Sequence, residues 1–378
     1  MPVAGEAPLS NHDDDRRFMA AAIRLSRWRL GLTGENPSVG ALIVRPDMAG
    51  GPMIVGRGVT APGGRPHAEL QALAEAGDLA HGATAYVTLE PCSHIGKAPP
   101  CADALVTAGV ARVVVAVLDP DSRVAGRGIS ILRRAGIEVA VGCEEAAARR
   151  AMKGFLSLKG RGRPFLTLKL AVSADRCIGR RGAGQVAITG PVARDAAQMM
   201  RVGHEAIMVG VGTVIEDDPL LTVRLDGLRD RSPVRVVIDP FARTPPEARL
   251  LAERHASGVM ILVTEKAPRS AIEVLRERGA SVHALASDYK GRFDPREIVR
   301  FLGVTGLKSV LLEGGADTAR RFLDAQLVDR IALFASKTLV GEGGIPAPIA
   351  RESIPEGYEM ASSSILGEDE LVEFERQV

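Results

Sequence analysis

"PHAELQALAEAGDLAHGATAYVTLEPCSHIGKAPPC", residues 66–101, contains a helix, a strand and the start of a second helix. "HAELQALAEAG" has apolar residues at helical spacing and stops at Gly77, the residue type best suited to the left-handed turn that ends a helix. "ATAYVTLE" is a short apolar run of strand-forming residues. "CADALVTAG", residues 101–109, begins after Pro99 and Pro100 and stops at Gly109, which again reads as a helix. The residues that carry chemistry fall at the junctions. His67 lies at the first turn of one helix, Cys92 in the turn after the strand, and Cys101 at the start of the next helix.

The same alternation extends outward. Upstream, "DDDRRFMAAAIRLSRWRL" places Phe18, Ala22, Ile23 and Leu25 on one helical face, and "VGALIV" reads as a buried strand. Downstream, "RVVVAVLD", "ISILRRAG" and "IEVAVG" continue strand, helix, strand. Strands separated by helices of about ten residues need crossover connections, which cover a sheet on both faces. The expected fold is a three-layer α/β/α unit. The stretch "EEAAARRAMKGFLSLKGRGRP", residues 144–164, is charged and ends in a Gly, Arg and Pro cluster, so it marks a domain boundary. Beyond it "FLTLKLAVS", "AIMVGVG", "VRVVID", "GVMILVT", "SVLLEGG" and "RIALFAS" read as strands of a second α/β domain.

Composition sets the bounds. The chain has 378 residues, enough for two or three domains, and 46% hydrophobic with 25% charged residues supplies two cores. A net charge of +2 with interspersed signs gives no field that would mark out a nucleic-acid binder. The N-terminus lacks a basic start followed by an apolar core, and no apolar run is long enough to span a bilayer. Four cysteines are too sparse for a disulfide scaffold, which fits a reducing cytoplasm and metal or catalytic use of a subset.

His67, Cys92 and Cys101 form such a subset. Positive potential at a helix start favours the thiolate, and one imidazole with two thiolates suits zinc. Three protein ligands leave the fourth position open for water. Glu69, two residues beyond His67, faces away from a shared ligand position but can reach that water and move its proton. His94 is read as orienting substrate or water, and Cys143 and Cys177 as structural. His-x-Glu followed by Pro-Cys-x-x-Cys marks zinc nucleobase deaminases. Here the second half is Cys-x8-Cys.

In the second half, "SVLLEGGADTARRFLDAQLVD" is a strand that passes through Gly314 and Gly315 into a helix, an arrangement able to take a phosphate. It lacks the Gly-x-Gly-x-x-Gly fingerprint of a Rossmann site. "GVGTVIEDDPLLTVR" reads as a strand end, an acidic turn and an extended piece closed by Arg224. With Arg201 it would clamp a phosphate.

"GENPSVGALIV", "HAELQAL", "GATAYVTLEPCSHIGKAPPCADALVTAGVARVVVAVLDP" and "VAGRGI" resemble the deaminase half of the bifunctional riboflavin-biosynthesis pyrimidine deaminase/reductases, whose own variant is the long Cys-x8-Cys loop. "LKLAVSADRCIG", "AITGPVARDAAQMMRVGHEAIMVGVGTVIEDDPLLTVR", "RVVID" and "LLEGGADTARRFLDAQLVD" resemble the reductase half. The resemblance covers nearly all of residues 12–345. It implies a cytidine-deaminase-like domain over residues 12–146 and a dihydrofolate-reductase-like α/β domain over residues 163–378.

The first would carry one zinc on His67, Cys92 and Cys101, with Glu69 as proton shuttle and Asn36 in the floor of the pyrimidine pocket. The plain reading of Asn36 is a turn residue before Pro37. The second would bind NADPH near Val172, Ala187, Thr213, Asp217 and the turn Gly315, Ala316, Asp317, Thr318, Ala319, Arg320, Arg321. Phosphoribosylaminopyrimidine substrate would meet Gln185, Arg201, Leu221, Arg224 and Glu313. The resemblance further implies self-association through the reductase domain. Two residues depart from it: Arg176 stands at a usual Gly, and Ala187 where Trp is common.

Two other readings compete. A nucleic-acid-editing deaminase would need aromatic residues along a strand channel, and these make up only 3% of the chain. A zinc-stabilised binding protein with an inactive reductase half would be consistent with the two departures.

Overall fold

The chain divides into two compact units that part between Arg161 and Gly162. A computed structural model describes residues 10–93, 99–121, 125–252 and 257–377, with side chains from residue 13 onward. The first unit has helices α1 (Ser10–Ser26), α2 (Ala68–Ala76), α3 (Cys101–Thr107), α4 (Arg127–Arg134), α5 (Glu145–Ala151) and α6 (Lys153–Arg161). Its strands are β1 (Gly40–Arg45), β2 (Met53–Val59), β3 (Thr84–Leu89), β4 (Arg112–Val117) and β5 (Glu138–Val141).

The five strands lie in the order β2-β1-β3-β4-β5, with β1 antiparallel to both neighbours and β3, β4 and β5 parallel. Residues 113–117 of β4 are fully buried, as expected of a parallel strand covered on both faces. Two close approaches fix the layers. A Cβ at Gly40 would lie 2.1 Å from the Ala22 carbonyl oxygen of α1, and one at Gly58 would lie 1.9 Å from the Ala68 carbonyl oxygen of α2. Gly58 pairs with Ala41, the neighbour of Gly40, and neighbouring residues of a strand point to opposite faces. α1 and α2 therefore cover opposite sides of the sheet, which gives the three expected layers. The stretch read as a boundary is mostly part of this unit: Ala148, Met152 and Phe155 are buried in its core.

The second unit has strands β6 (Phe165–Val172), β7 (Cys177–Arg180), β8 (Ala206–Gly210), β9 (Val234–Ile238), β10 (Val259–Thr264) and β11 (Ser281–Leu285). It continues with β12 (Ser309–Leu312), β13 (Arg330–Ala335), β14 (Gly344–Pro346), β15 (Tyr358–Leu366) and β16 (Asp369–Arg376). Its helices are α7 (Pro191–Val202), α8 (Val211–Asp217), α9 (Arg249–Ala252), α10 (Arg269–Glu277), α11 (Pro295–Val304) and α12 (Ala316–Asp324).

Nine strands form one sheet in the order β11-β10-β9-β8-β12-β6-β13-β16-β15, parallel from β11 to β13 and closed by the antiparallel hairpin β15–β16. β7 and β14 pair separately. Alternate residues of β8 enter two cores, Ala206 and Met208 on one face and Ile207 and Val209 on the other. The stretch expected to be an acidic turn is largely the short helix α8, which buries Val211 and Val214 one turn apart. Its β-branched residues disguise it as strand and turn. β12 is inserted between β8 and β6, so the direction of winding changes there, and ligands of open α/β sheets bind at such strand ends.

Candidate active sites

In the first unit, α2 is seated on β2 at Gly58, which sets the position of the residue just before the helix. That residue is His67, the extended N-cap of α2 rather than part of its first turn. The Gln71 amide fastens the junction by donating to the carbonyls of Val59 at 2.5 Å, Pro66 at 3.1 Å and His67 at 3.3 Å. Cys101 is the first residue of α3, after the extended Pro100.

The Nδ1 atom of His67 lies 3.3 Å from Sγ of Cys101 and 3.6 Å from Sγ of Cys92, and all three donor atoms fall within 4.8 Å of one another. The backbone N–H of Cys101 donates to Cys92 Sγ at 3.3 Å, and that of Ala102 to the Cys92 carbonyl at 3.2 Å. Hydrogen bonding from the Cys101 thiol lowers the Cys92 pKa despite burial, and His67 assists. The same bond, with burial, pushes the Cys101 thiol up.

One imidazole and two sulfurs at this spacing fit zinc with three protein ligands. Glu69 stands outside the cluster but close enough for Cys92 and His67 to perturb it, and burial pushes its carboxyl up to about 7. Asn36 donates from Nδ2 to the Gly64 carbonyl at 3.1 Å, bracing the loop that leads to His67. His94 lies outside the described residues. Gln71 escaped the sequence reading, although its place one helical turn beyond His67 was a usable signal.

In the second unit, Glu313 follows β12 and Arg201 lies in the last turn of α7. Nε and Nη2 of Arg201 donate to the two carboxylate oxygens of Glu313, each at 3.0 Å, and Nη1 donates to the Thr222 carbonyl at 3.0 Å. Lys169 of β6 places Nζ 3.9 Å from the same carboxylate. Burial alone would raise the Glu313 pKa, but Arg201 and then Lys169 hold it down to about 2. The sequence reading missed Lys169, a lone cation inside the apolar run "FLTLKLAVS". It also missed Gln198, whose Oε1 accepts the Arg224 N–H at 2.9 Å. Leu221 is buried with φ of 57°, a left-handed conformation costly for a branched residue.

The starts of α8 and α12 lie together: a Cβ at Gly210 would meet Thr318 Oγ1 at 2.6 Å, and one at Gly315 would meet Thr213 Oγ1 at 3.7 Å. Val172 ends β6, Asp217 ends α8, and Gly315 caps α12, with Ala316, Asp317 and Thr318 in its first turn. Gln185 and Ala187 are exposed in the segment before α7. Ala319 is fully buried in the core, Arg320 is exposed, and the Arg321 guanidinium donates to the Phe293 carbonyl, so these three are not gathered at the helix start.

Comparison with known proteins follows the same division. Residues 12–117 match the cytidine and deoxycytidylate deaminase zinc-binding region, and residues 164–371 match the RibD C-terminal domain. The riboflavin biosynthesis protein RibD of Aquifex aeolicus (strain VF5) is 38% identical over 96% of this chain and 98% of its own. That of Escherichia coli (strain K12) is 38% identical over 86% and 89%. Among solved structures, Acinetobacter baumannii RibD, form 1, superposes with a TM-score of 0.84 at 33% identity, covering 97% of this chain and 100% of that one. A Thermotoga maritima diaminohydroxyphosphoribosylaminopyrimidine deaminase/5-amino-6-(5-phosphoribosylamino)uracil reductase superposes with a TM-score of 0.83 at 32% identity, covering 97% and 99%. The two-domain α/β architecture, deaminase-like and then RibD reductase, matches those two solved structures, and the chain belongs to the RibD family of riboflavin biosynthesis proteins.

Proposed function

We propose that the first unit hydrolytically deaminates 2,5-diamino-6-(5-phosphoribosylamino)pyrimidin-4(3H)-one. The second unit then reduces the ribosyl group of the product, 5-amino-6-(5-phosphoribosylamino)uracil, to ribityl with NADPH. The observation that carries this is the convergence of His67, Cys92 and Cys101 beside the buried Glu69.

His67, Cys92 and Cys101 would hold zinc, which when bound acidifies water and so supplies a nucleophile near neutral pH. The Glu69 carboxylate takes a proton from the attacking water and returns one to the departing amine nitrogen. A C–O bond forms at ring carbon 2, the C–N bond breaks, and ammonia leaves. Asn36 keeps the loop before His67 in place. In the second unit the adjoining starts of α8 and α12 suit the phosphates of NADPH. Arg224 would take the substrate phosphate, and Arg201 holds Glu313 ionised beside Lys169. The protein's contribution here is to position cofactor against substrate.

Self-association through the second unit belongs to the same proposal. Its support is β15 at the sheet edge, with Met360 61% and Ile365 73% exposed. No helix among the described residues is long and apolar enough to cross a membrane. The test is NADPH oxidation on 5-amino-6-(5-phosphoribosylamino)uracil, with NADH as control. Turnover with NADPH that falls at least tenfold in Arg201→Ala supports the reductase assignment. Absence of turnover in wild type that deaminates would refute it.

A further inference from the structure

Cys92 is the zinc ligand with the least secondary structure to hold it, since it follows β3 in a turn rather than starting a helix. Two residues earlier, Glu90 is only 5% exposed and turns its carboxylate back into the unit. Its Oε2 accepts the backbone N–H of Gly126 at 2.9 Å and of Asp119 at 3.3 Å. Its Oε1 accepts those of Gly128 at 3.0 Å and Ile129 at 3.5 Å. These donors are the start of α4 and the second residue past β4. A buried carboxylate with four backbone donors is well compensated, and the otherwise unpaired N–H groups of a helix start are satisfied by it.

The turn itself is held from three further sides. The Glu90 N–H donates to the Val117 carbonyl at 2.9 Å, and the Cys92 carbonyl accepts from Ala102 at 3.2 Å. The Pro91 carbonyl oxygen packs so closely on Gly128 that a Cβ there would lie 2.0 Å from it. We infer that Glu90 is a positioning residue for the metal centre: its carboxylate locks the start of α4 against the Pro91 carbonyl and thereby fixes where Cys92 presents its sulfur. The inference rests on the zinc reading of His67, Cys92 and Cys101.

Charge and shape separate this role from simple filling of space. Glutamine is nearly isosteric, but it offers one acceptor oxygen and turns an NH2 group toward two backbone donors. Glu90→Gln should therefore loosen the turn. Supports to metal ligands typically account for a loss of about 10 to 100-fold in metal affinity when removed, and a loss in that range is expected here. Zinc affinity of full-length wild type and Glu90→Gln, measured by competition with a chelating dye, gives the first readout. The thiolate-to-metal charge-transfer band of the Co2+-substituted proteins gives the second.

Weaker zinc binding with an altered cobalt band, while NADPH turnover of the second unit is unchanged, supports the role. Wild-type affinity and an unchanged band in Glu90→Gln overturn it. If that variant does not fold, Gly128→Ala, which keeps the carboxylate but displaces the Pro91 carbonyl, is read in its place: weaker zinc supports the role and unchanged zinc overturns it. A wild-type protein without zinc affinity overturns the metal reading as well, an outcome distinct from tight wild-type binding that Glu90→Gln leaves untouched.

Discussion

Arg201 and Glu313, 112 residues apart, meet through two parallel hydrogen bonds of 3.0 Å each at the carboxyl ends of the second sheet. Both side chains are only 11% exposed, so neither charge can turn to water if the other is removed. Breaking a buried pair on one side costs about 3 to 5 kcal/mol. Arg201→Ala should lose stability in that range in urea unfolding of the second unit, and Arg201→Met should not recover it.

The same pair sets a pH dependence. The Glu313 pKa is held at about 2, below the ordinary carboxylate value of 4.5 in the unfolded chain. A folded-state pKa that is depressed stabilises fully above the unfolded value and loses that contribution as pH falls through the folded one. The stability difference between wild type and Glu313→Gln should thus be constant above about pH 5 and shrink steadily toward pH 2. A difference that grows on acidification would contradict the assignment.

Arg176 occupies a left-handed conformation, φ of 61°, at the position where the resemblance leads one to expect glycine. A non-glycine residue there costs about 1 to 2 kcal/mol, partly offset by the greater unfolded-state freedom of glycine. Its ion pair with Glu352 at 3.7 Å joins two exposed side chains and contributes little. Arg176→Gly should raise stability by about 0.5 to 1 kcal/mol, seen as a small increase in Tm.

Gly58 has no room for a side chain, since its Cβ would lie 1.9 Å from the Ala68 carbonyl oxygen. Gly58→Ala must move α2 and with it His67. A loss of about 1 to 3 kcal/mol from overpacking is expected, together with reduced zinc content. Normal zinc content in a destabilised variant would show that β2 does not seat the metal ligand.

The metal cluster was legible because its three ligands lie at junctions that sequence marks clearly: a proline before each helix and a strand before Cys92. The support around them was not. Gly58 reveals its role only through the approach of α2, so β2, broken by Gly56 and Gly58 and exposed at Met53 and Ile54, did not read as a strand. α8 was hidden because "VGTVIED" is rich in β-branched residues. β15, "YEMASSSIL", is almost wholly exposed and lacks the apolar alternation that betrays a strand. In the second site Arg201 and Glu313 were each singled out for substrate, but their pairing depends on the order of β8, β12 and β6, which no local pattern records.

Glu69 and Cys92 separate proton transfer from metal binding. Zinc content and deamination of the diaminopyrimidine nucleotide should be measured together on wild type, Cys92→Ser and Glu69→Gln. About one zinc per chain in wild type, loss of both zinc and deamination in Cys92→Ser, and retained zinc with deamination reduced by at least 100-fold in Glu69→Gln are expected from the three-ligand centre and its proton carrier. Deamination that persists in Cys92→Ser without metal, or a Glu69→Gln enzyme of near wild-type rate, would contradict it.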